Sequence, residues 1–278
     1  RQGYGKTMFH KVVNWGYYTD PDPNMLGRRI YWPRGRTLGG SSAINGLIYI
    51  RGQRRDYDAW AAAGNPGWGW DDCLPYFRKL ENNDLGPGDT RGTEGPLNAT
   101  SIKTPHPLVE GLIGAAKALG VPQVQDFNTG EQDGVGYYQL TTRNGRRCST
   151  AVAYLRPAQG RANLRIETDA HAMAVLFEGS RAVGVRYRQG GQVRTLRARR
   201  EVLLCAGALQ SPQLLQLSGV GPAALLRPFG IRVVRDLPGV GENLQDHLQI
   251  RLIYETRQPI TTNDQLRTLH GRVGMGLQ

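Results

Sequence analysis

The chain has 278 residues, 39% of them hydrophobic and 21% charged, with 37 Gly, 16 Pro and 3 Cys. That length is ample for a buried core and corresponds to one large domain or two smaller ones. No run of apolar residues approaches the ~20 that a membrane-spanning helix needs, and ordinary hydrophobic content with dispersed aromatics excludes a disordered chain.

Lys plus Arg number 35 against 23 Asp plus Glu, a formal net charge of +12, and only five of the cations are Lys. Such a balance favours acidic partners: nucleic acid, phosphates or an anionic membrane face. The arginines are scattered, however. The tightest group, Arg194, Arg197, Arg199 and Arg200, falls in a predicted strand pair, and no nucleic-acid-binding module accompanies it, so no nucleic-acid partner is expected. Cys73, Cys148 and Cys205 show no CxxC or Cys/His spacing, which argues against a disulfide framework and a structural zinc site and for a reducing, cytoplasmic compartment. Cys205, in the apolar run Val202–Ala206, is expected to be a small core residue. The opening Arg1-Gln2-Gly3 has no signal-peptide pattern, and the two ends read as those of a fragment of a longer reading frame.

Residues 1–58, rich in Gly, Arg and aromatics, have little helical periodicity and predict long loops around one short helix. Asp56–Ala63 predicts a helix, and Asp71 is the expected cap of a second running to Leu80. A Gly/Asn/Asp-rich connection follows over Asn82–Thr100. His106–Leu119 predicts an amphipathic helix that Gly120 ends in the left-handed conformation. Gly130–Arg147 is polar and dotted with Gly, and Ser149–Leu155 begins another short helix.

From Asn163 the pattern changes to strands. Leu164–Thr168, Met173–Phe177, Ala182–Tyr187 and Val193–Leu196, with the turn Gln189-Gly190-Gly191, predict an antiparallel meander. Glu201–Cys205 is continuously apolar, as in a strand covered on both faces. A helix is expected around Ser211–Leu217, capped by Ser211-Pro212, then a helix over Pro222–Phe229 and a strand over Ile231–Val234. Strand, Gly turn and helix in succession is the grammar of a doubly wound nucleotide-binding fold, so the fold class is α/β (α+β).

Three stretches concentrate chemistry. In Gly35-Arg36-Thr37-Leu38-Gly39-Gly40-Ser41-Ser42-Ala43-Ile44-Asn45-Gly46, paired glycines admit a ligand close to the backbone, and Ser41, Ser42 and Asn45 offer short polar side chains. Successive N–H groups in such a turn suit a diphosphate, although a plain Gly/Ser turn has the same composition. In Gly207–Gly221, small residues Gly207 and Ala208 leave room at a strand end. The third, Pro238–His247, is a Gly turn followed by polar groups.

Together these stretches resemble the glucose–methanol–choline (GMC) family of FAD-dependent oxidoreductases, choline dehydrogenase-like members included. The resemblance covers Tyr31 to Gln278, with one family signature in Gly35–Asp58 and another in Gly207–Gly221. It implies a partial FAD-binding, doubly wound domain over residues 1–250, with 60–160 as a helical and loop insertion, and a truncated start of the substrate-binding domain over 251–278. It places Gly39, Gly40 and Ser41 near the FAD diphosphate and ribityl chain, and Asn45, Gly46, Leu47 and Ile48 against the isoalloxazine. It places the backbone of Ala172 at the adenine, where the family usually has Val, and Gly207 and Ala208 beside the adenosine half.

Two departures from the family pattern matter. Members with covalent flavin carry His directly before the signature Asn; here that residue is Ile44, which implies non-covalent FAD. The family also opens with a βαβ unit bearing GxGxxG, which this sequence lacks, and its catalytic His corresponds to no position here, so no catalytic residue is expected within the chain. His247, beside Asp246, reads as a structural hydrogen-bonding residue; the other His residues lack metal-ligand spacing, and no metal is expected.

The implied activity is oxidation of a small primary alcohol, choline among the options, to an aldehyde by hydride transfer to flavin, with an unidentified electron acceptor. By itself the chain is expected to be inactive and to bind FAD weakly or not at all. A GMC oxidase using oxygen and a basic nucleic-acid-binding module are the alternatives, and the basic charge allows peripheral contact with an inner membrane.

Overall fold

The computed structural model describes residues 7–247, 249–271 and 273. The chain forms two compact units, one of residues 1–164 with 256–278 and one of 165–255. Each is described by itself.

The first unit opens with a two-stranded antiparallel ribbon, β1 (Tyr17–Tyr18) against β2 (Tyr31–Trp32). Buried Asn14 ties it together: its Oδ1 accepts from the Gly16 N–H at 2.9 Å and the Arg34 N–H at 3.0 Å. A single 3-10 turn, Gly40–Ala43, leads to β3 (Ile48–Tyr49). Helices α1 (Arg54–Ala62) and α2 (Trp70–Leu80) follow. The Asp58 carboxylate on α1 accepts from the Trp70 N–H at 2.9 Å, and Asp72 accepts from the Gly69 N–H at 3.2 Å. Asp72 and Asp58 therefore cap α2, and the expected cap, Asp71, pairs instead with Arg54 across exposed surface at 3.1 Å.

The Gly-rich connection of residues 82–100 is more ordered than its composition indicates. β4 (Glu81–Asn83) and β5 (Leu97–Ala99) pair in parallel, a long-range match that no local signal announces. Helix α3 (Pro107–Ala118) is capped by His106, whose Nδ1 accepts from the Leu108 N–H at 3.2 Å, and Gly120 beyond its end takes a φ of +86°. β6 (Gln139–Leu140) pairs antiparallel with β3, and β7 (Thr142–Arg143) forms a hairpin with β8 (Arg146–Arg147). The expected helix after Ser149 is a π-helical turn, Ala151–Leu155, running into one α-turn, Arg156–Ala158.

A buried polar network holds this unit together. The Arg51 guanidinium forms an ion pair with Glu81, with the two side chains 2% and 0% exposed. Glu81 also accepts from the Asn83 amide at 2.6 Å and the Gly92 N–H at 3.1 Å, so both carboxylate oxygens are satisfied. Arg51 further donates to the Thr90 carbonyl at 2.8 Å and to the Tyr49 hydroxyl at 3.2 Å. Its own N–H meets the Asn128 side chain at 2.7 Å, and Gln139 closes the network on Asn83 at 2.8 Å.

The second unit contains the expected meander. β9 (His171–Glu178), β10 (Arg181–Gln189) and β11 (Gln192–Arg197) form an antiparallel sheet in the order β11-β10-β9. Gly190 and Gly191, at φ of +56° and +78°, make the two-residue turn between Gln189 and Gln192 that such a hairpin requires. Helix α4 (Gly207–Leu217) packs on β9, where the Val175 N–H donates to the Ser218 hydroxyl at 2.8 Å. Then come β12 (Val220–Gly221), α5 (Ala223–Leu226) and β13 (Arg235–Asp236), with β12 and β13 in parallel register. In the first unit again, α6 spans Thr262–Arg267; the final residues of the expected 251–278 segment lie outside the described ones.

The mixed helix and strand class is as expected, but several elements differ. Leu164–Thr168 forms no strand, and the strand expected at Ile231–Val234 lies at Arg235–Asp236 instead. Glu201–Cys205 is also not a strand: it pairs with none among the described residues, Leu203 is 74% exposed, and Cys205 is exposed rather than in the core. Apolarity marks a segment for burial, but only a neighbouring strand makes it a ladder. Ser211 and Pro212 lie inside α4, which starts four residues earlier at Gly207 with Ala206 as its cap.

Breaking one partner of a buried pair leaves the other charge uncompensated, so Arg51→Met is expected to destabilise the first unit by about 3–5 kcal/mol in urea unfolding. Burial pushes the Tyr49 phenol up to about 12, against the pull of Arg51. A phenol whose folded pKa exceeds its unfolded value keeps its full stabilisation below pH ~10 and loses it as pH rises towards the folded pKa. Tyr49 is therefore expected to contribute a fall of about 2–3 kcal/mol between pH ~10 and ~12, and the loss in Tyr49→Phe is expected to be smaller by that amount.

Candidate cofactor site

Seven of the ten residues singled out from the sequence, Gly39, Gly40, Ser41, Asn45, Gly46, Leu47 and Ile48, share one loop of the first unit. Gly39 and Gly40 both take left-handed conformations, at φ of +86° and +52°. A Cβ on Gly40 would meet nothing within 4 Å, so that backbone faces open space. The loop folds on itself through the Ser41 carbonyl, which accepts from the N–H groups of Ile44 at 3.1 Å and Asn45 at 2.8 Å. At its entry the Ser41 hydroxyl accepts from the Gly35 N–H at 3.1 Å. The approach there is close enough that a Cβ on Gly35 would lie 2.2 Å from the Gly40 carbonyl oxygen.

At the exit, Leu47 takes a φ of +70°, a left-handed conformation costly for a bulky residue. Neighbouring bonds over-determine it. Its N–H donates to the Asn45 side-chain oxygen at 3.1 Å, and its carbonyl accepts from the Thr141 N–H at 2.8 Å and hydroxyl at 3.1 Å. Ile44, at the position that bears His in covalent flavoproteins of the resemblance, is buried at 5% exposure. Its aliphatic side chain carries no atom that could form a covalent link to a cofactor.

Two residues that sequence reading passed over complete this loop. Arg147 donates to the Asn45 side-chain oxygen at 2.7 Å, the Asn45 carbonyl at 2.8 Å and the Ser42 carbonyl at 3.1 Å. Thr150 donates its N–H to the Ser42 hydroxyl at 3.0 Å and its hydroxyl to the Gly39 carbonyl at 3.3 Å. The available signal was the polar run Arg147-Cys148-Ser149-Thr150 leading into a helical turn; nothing local linked it to a segment about a hundred residues earlier.

The remaining three residues belong to the second unit. Ala172 lies on β9, opposite Tyr187 and exposed. β9 has a partner on one edge only among the described residues, so alternate backbone groups along it have no ladder partner. Gly207, at φ of +88°, and Ala208 form the exposed first turn of α4, where no side chain caps the free N–H groups. A Cβ on Gly207 would meet nothing within 4 Å. His247 is exposed, and its own N–H meets the Asp246 carboxylate at 2.8 Å, a local bond only.

Elsewhere, a cavity of about 670 Å³ opens beside α2, lined by Arg78, Lys79, Arg91 and Glu94 among others and by none of the ten residues. Among the described residues, no group of three or more His, Cys, Asp or Glu side chains could hold a metal ion, and no helix is long and apolar enough to cross a membrane.

Taken by itself, the first unit's loop fits a ligand with a flat ring and a diphosphate, through the left-handed Gly40 facing open space and the exposed Asn45 amide; the second unit, by itself, offers an uncapped helix start on a Gly-Ala pair. Comparison with known proteins agrees. Residues 10–249 match the family model described as GMC oxidoreductase. The chain belongs to the GMC oxidoreductase family, a family of FAD-dependent enzymes. It is 48% identical over 265 residues to the mitochondrial choline dehydrogenase of Mus musculus, an alignment covering 95% of this chain and 44% of that protein. It is 53% identical over 253 residues to the oxygen-dependent choline dehydrogenase of Pseudomonas fluorescens, covering 89% and 45% respectively. Among solved structures, pyridoxine 4-oxidase from Mesorbium loti superposes with a TM-score of 0.79 at 35% identity, over 85% of this chain and 47% of that one. An FAD-dependent oxidoreductase from Chaetomium thermophilum gives 0.77 at 33% identity, over 82% and 42%. The chain thus spans just under half the length of these relatives.

Because the Gly35 Cα faces backbone, Gly35→Ala must displace the Gly40 peptide. It is expected to cost about 2–3 kcal/mol of stability by denaturant titration, against less than ~0.5 kcal/mol for alanine at exposed Thr37.

Proposed function

We propose that this chain is the cofactor-loop portion of a longer FAD-dependent alcohol dehydrogenase that oxidises a small primary alcohol, choline foremost, to its aldehyde. The observation that carries the reading is the loop of residues 39–48, with its left-handed paired glycines, Gly40 facing open space, and its buttressed left-handed Leu47, in a chain about half identical to choline dehydrogenases. FAD, when bound, supplies the two-electron acceptor for the alcohol.

This chain's own residues bind and orient. Gly39, Gly40 and Ser41 leave the backbone accessible to the diphosphate and ribityl chain, and Asn45, Gly46, Leu47 and Ile48 border the ring. Ala172, Gly207 and Ala208 serve the adenosine half. Buried, aliphatic Ile44 supports non-covalent attachment. No residue here is assigned as the base that takes the hydroxyl proton. On this reading residues 1–250 are an incomplete FAD-binding domain and 251–278 the start of the substrate domain. The net charge of +12 supports peripheral contact with an anionic membrane face from the cytoplasmic side. A second reading, a GMC oxidase delivering electrons to oxygen, is favoured by structural relatives such as the pyridoxine 4-oxidase.

Purified 278-residue chain supplied with FAD is expected to show no choline-dependent dye reduction. A protein carrying this sequence at the full length of the relatives is expected to reduce dye with choline and to release its flavin on acid precipitation. Dye reduction by the 278-residue chain alone, or flavin retained in the precipitate, contradicts the proposal; peroxide production in place of dye reduction selects the oxidase.

A further inference from the structure

The Arg147 guanidinium makes three bonds to one short stretch of the loop, two of them to Asn45. An arginine only donates, so the Asn45 side-chain atom that faces it must be the oxygen. That oxygen also accepts from the Leu47 N–H at 3.1 Å, which occupies its second lone pair. The carboxamide is thereby fixed against a flip. Its Nδ2 donates to nothing among the described residues, and the side chain is exposed. The same bond that orients Asn45 supports the left-handed Leu47, and the bond to the Ser42 carbonyl reaches back to the 3-10 turn.

We propose that Arg147 is the positioning residue of the 39–48 loop: it locks the Asn45 carboxamide with Nδ2 outward, so that Asn45 presents a hydrogen-bond donor to an acceptor atom of the cofactor. The proposal rests on the reading of this loop as a flavin loop, in which a donor suits the carbonyl and ring-nitrogen acceptors of an isoalloxazine. A carboxamide free to rotate would offer either atom and carry no such selectivity. Arginine is needed rather than lysine, because a planar fork spans three acceptors at once where an ammonium is a point charge.

Amide hydrogen exchange and the side-chain amide signals of a protein carrying this sequence at the full length of the relatives, free and titrated with FAD, test both halves. Arg147→Ala is expected to raise exchange at residues 41–47 at least about tenfold, with β9–β11 unchanged and Arg147→Lys intermediate. Full recovery in Arg147→Lys, unchanged exchange in Arg147→Ala, or a rise spread over β9–β11 each overturns the clamp. FAD is expected to shift the Asn45 Nδ2 signals. Asn45→Asp keeps an oxygen for Arg147 and replaces the donor with a charged acceptor, so it should leave loop exchange no faster than in the unsubstituted protein and weaken FAD at least about tenfold; FAD binding equal to that of the unsubstituted protein overturns the donor role. If the full-length protein binds FAD but the Asn45 Nδ2 signals do not shift, the donor role alone falls; if it binds no FAD, the flavin reading of the loop falls, and exchange alone still decides the clamp.

Discussion

The buried ion pair between Arg51 and Glu81 is the constraint around which the first unit is organised. Taking two charges out of water is costly, and the cost is tolerable only when every remaining lone pair and proton finds a partner. Here each guanidinium nitrogen and each carboxylate oxygen has at least one: Asn83, Gly92, Thr90 and Tyr49 complement the two side chains. The requirement propagates. Asn83 and Gln139 must satisfy each other, and Asn128 must hold the Arg51 N–H. Segments from residues 49–51, 81–92, 126–128 and 139 are thereby fixed in one arrangement, a specificity that apolar packing among so many short strands would not supply.

The candidate cofactor loop is mounted directly on this frame. Its exit strand carries Tyr49, whose hydroxyl belongs to the network, and Gln139 lies opposite Tyr49 in the ladder. The entry is closed by backbone contact at Gly35, and the middle is held by Arg147 and Thr150. An exposed, glycine-rich loop has few internal contacts of its own. Rigidity at its two ends and a polar clamp at its centre allow an exposed, glycine-rich segment to keep a left-handed leucine in place.

Legibility from the sequence followed the range of the interactions. The helices at Arg54–Ala62 and Pro107–Ala118 and the meander over residues 171–197 were readable because caps, periodicity and turn glycines act within a few residues. The Ser211-Pro212 pair misled because the same residues serve inside a helix whose first turn is a Gly-Ala pair. Glu201–Cys205 misled because apolarity reports a need for burial and not the presence of a pairing strand; Leu203 and Cys205 are exposed. The family resemblance singled out residues that the structure gathers in one loop, but not the side chains that support that loop.

The sequence by itself determined the mixed α/β class, the local elements with strong caps and turns, and the long, heavily specified stretches around Gly35–Gly46 and Gly207–Gly221 that mark the family. Only the tertiary structure decided that Arg51 and Glu81 are buried together, that Leu47 is held left-handed, and that Arg147 reaches Asn45. The reason is physical. Turn chemistry and capping depend on neighbours in the chain, whereas a buried charge or a clamped amide takes its meaning from partners tens of residues away, brought near only by the completed fold.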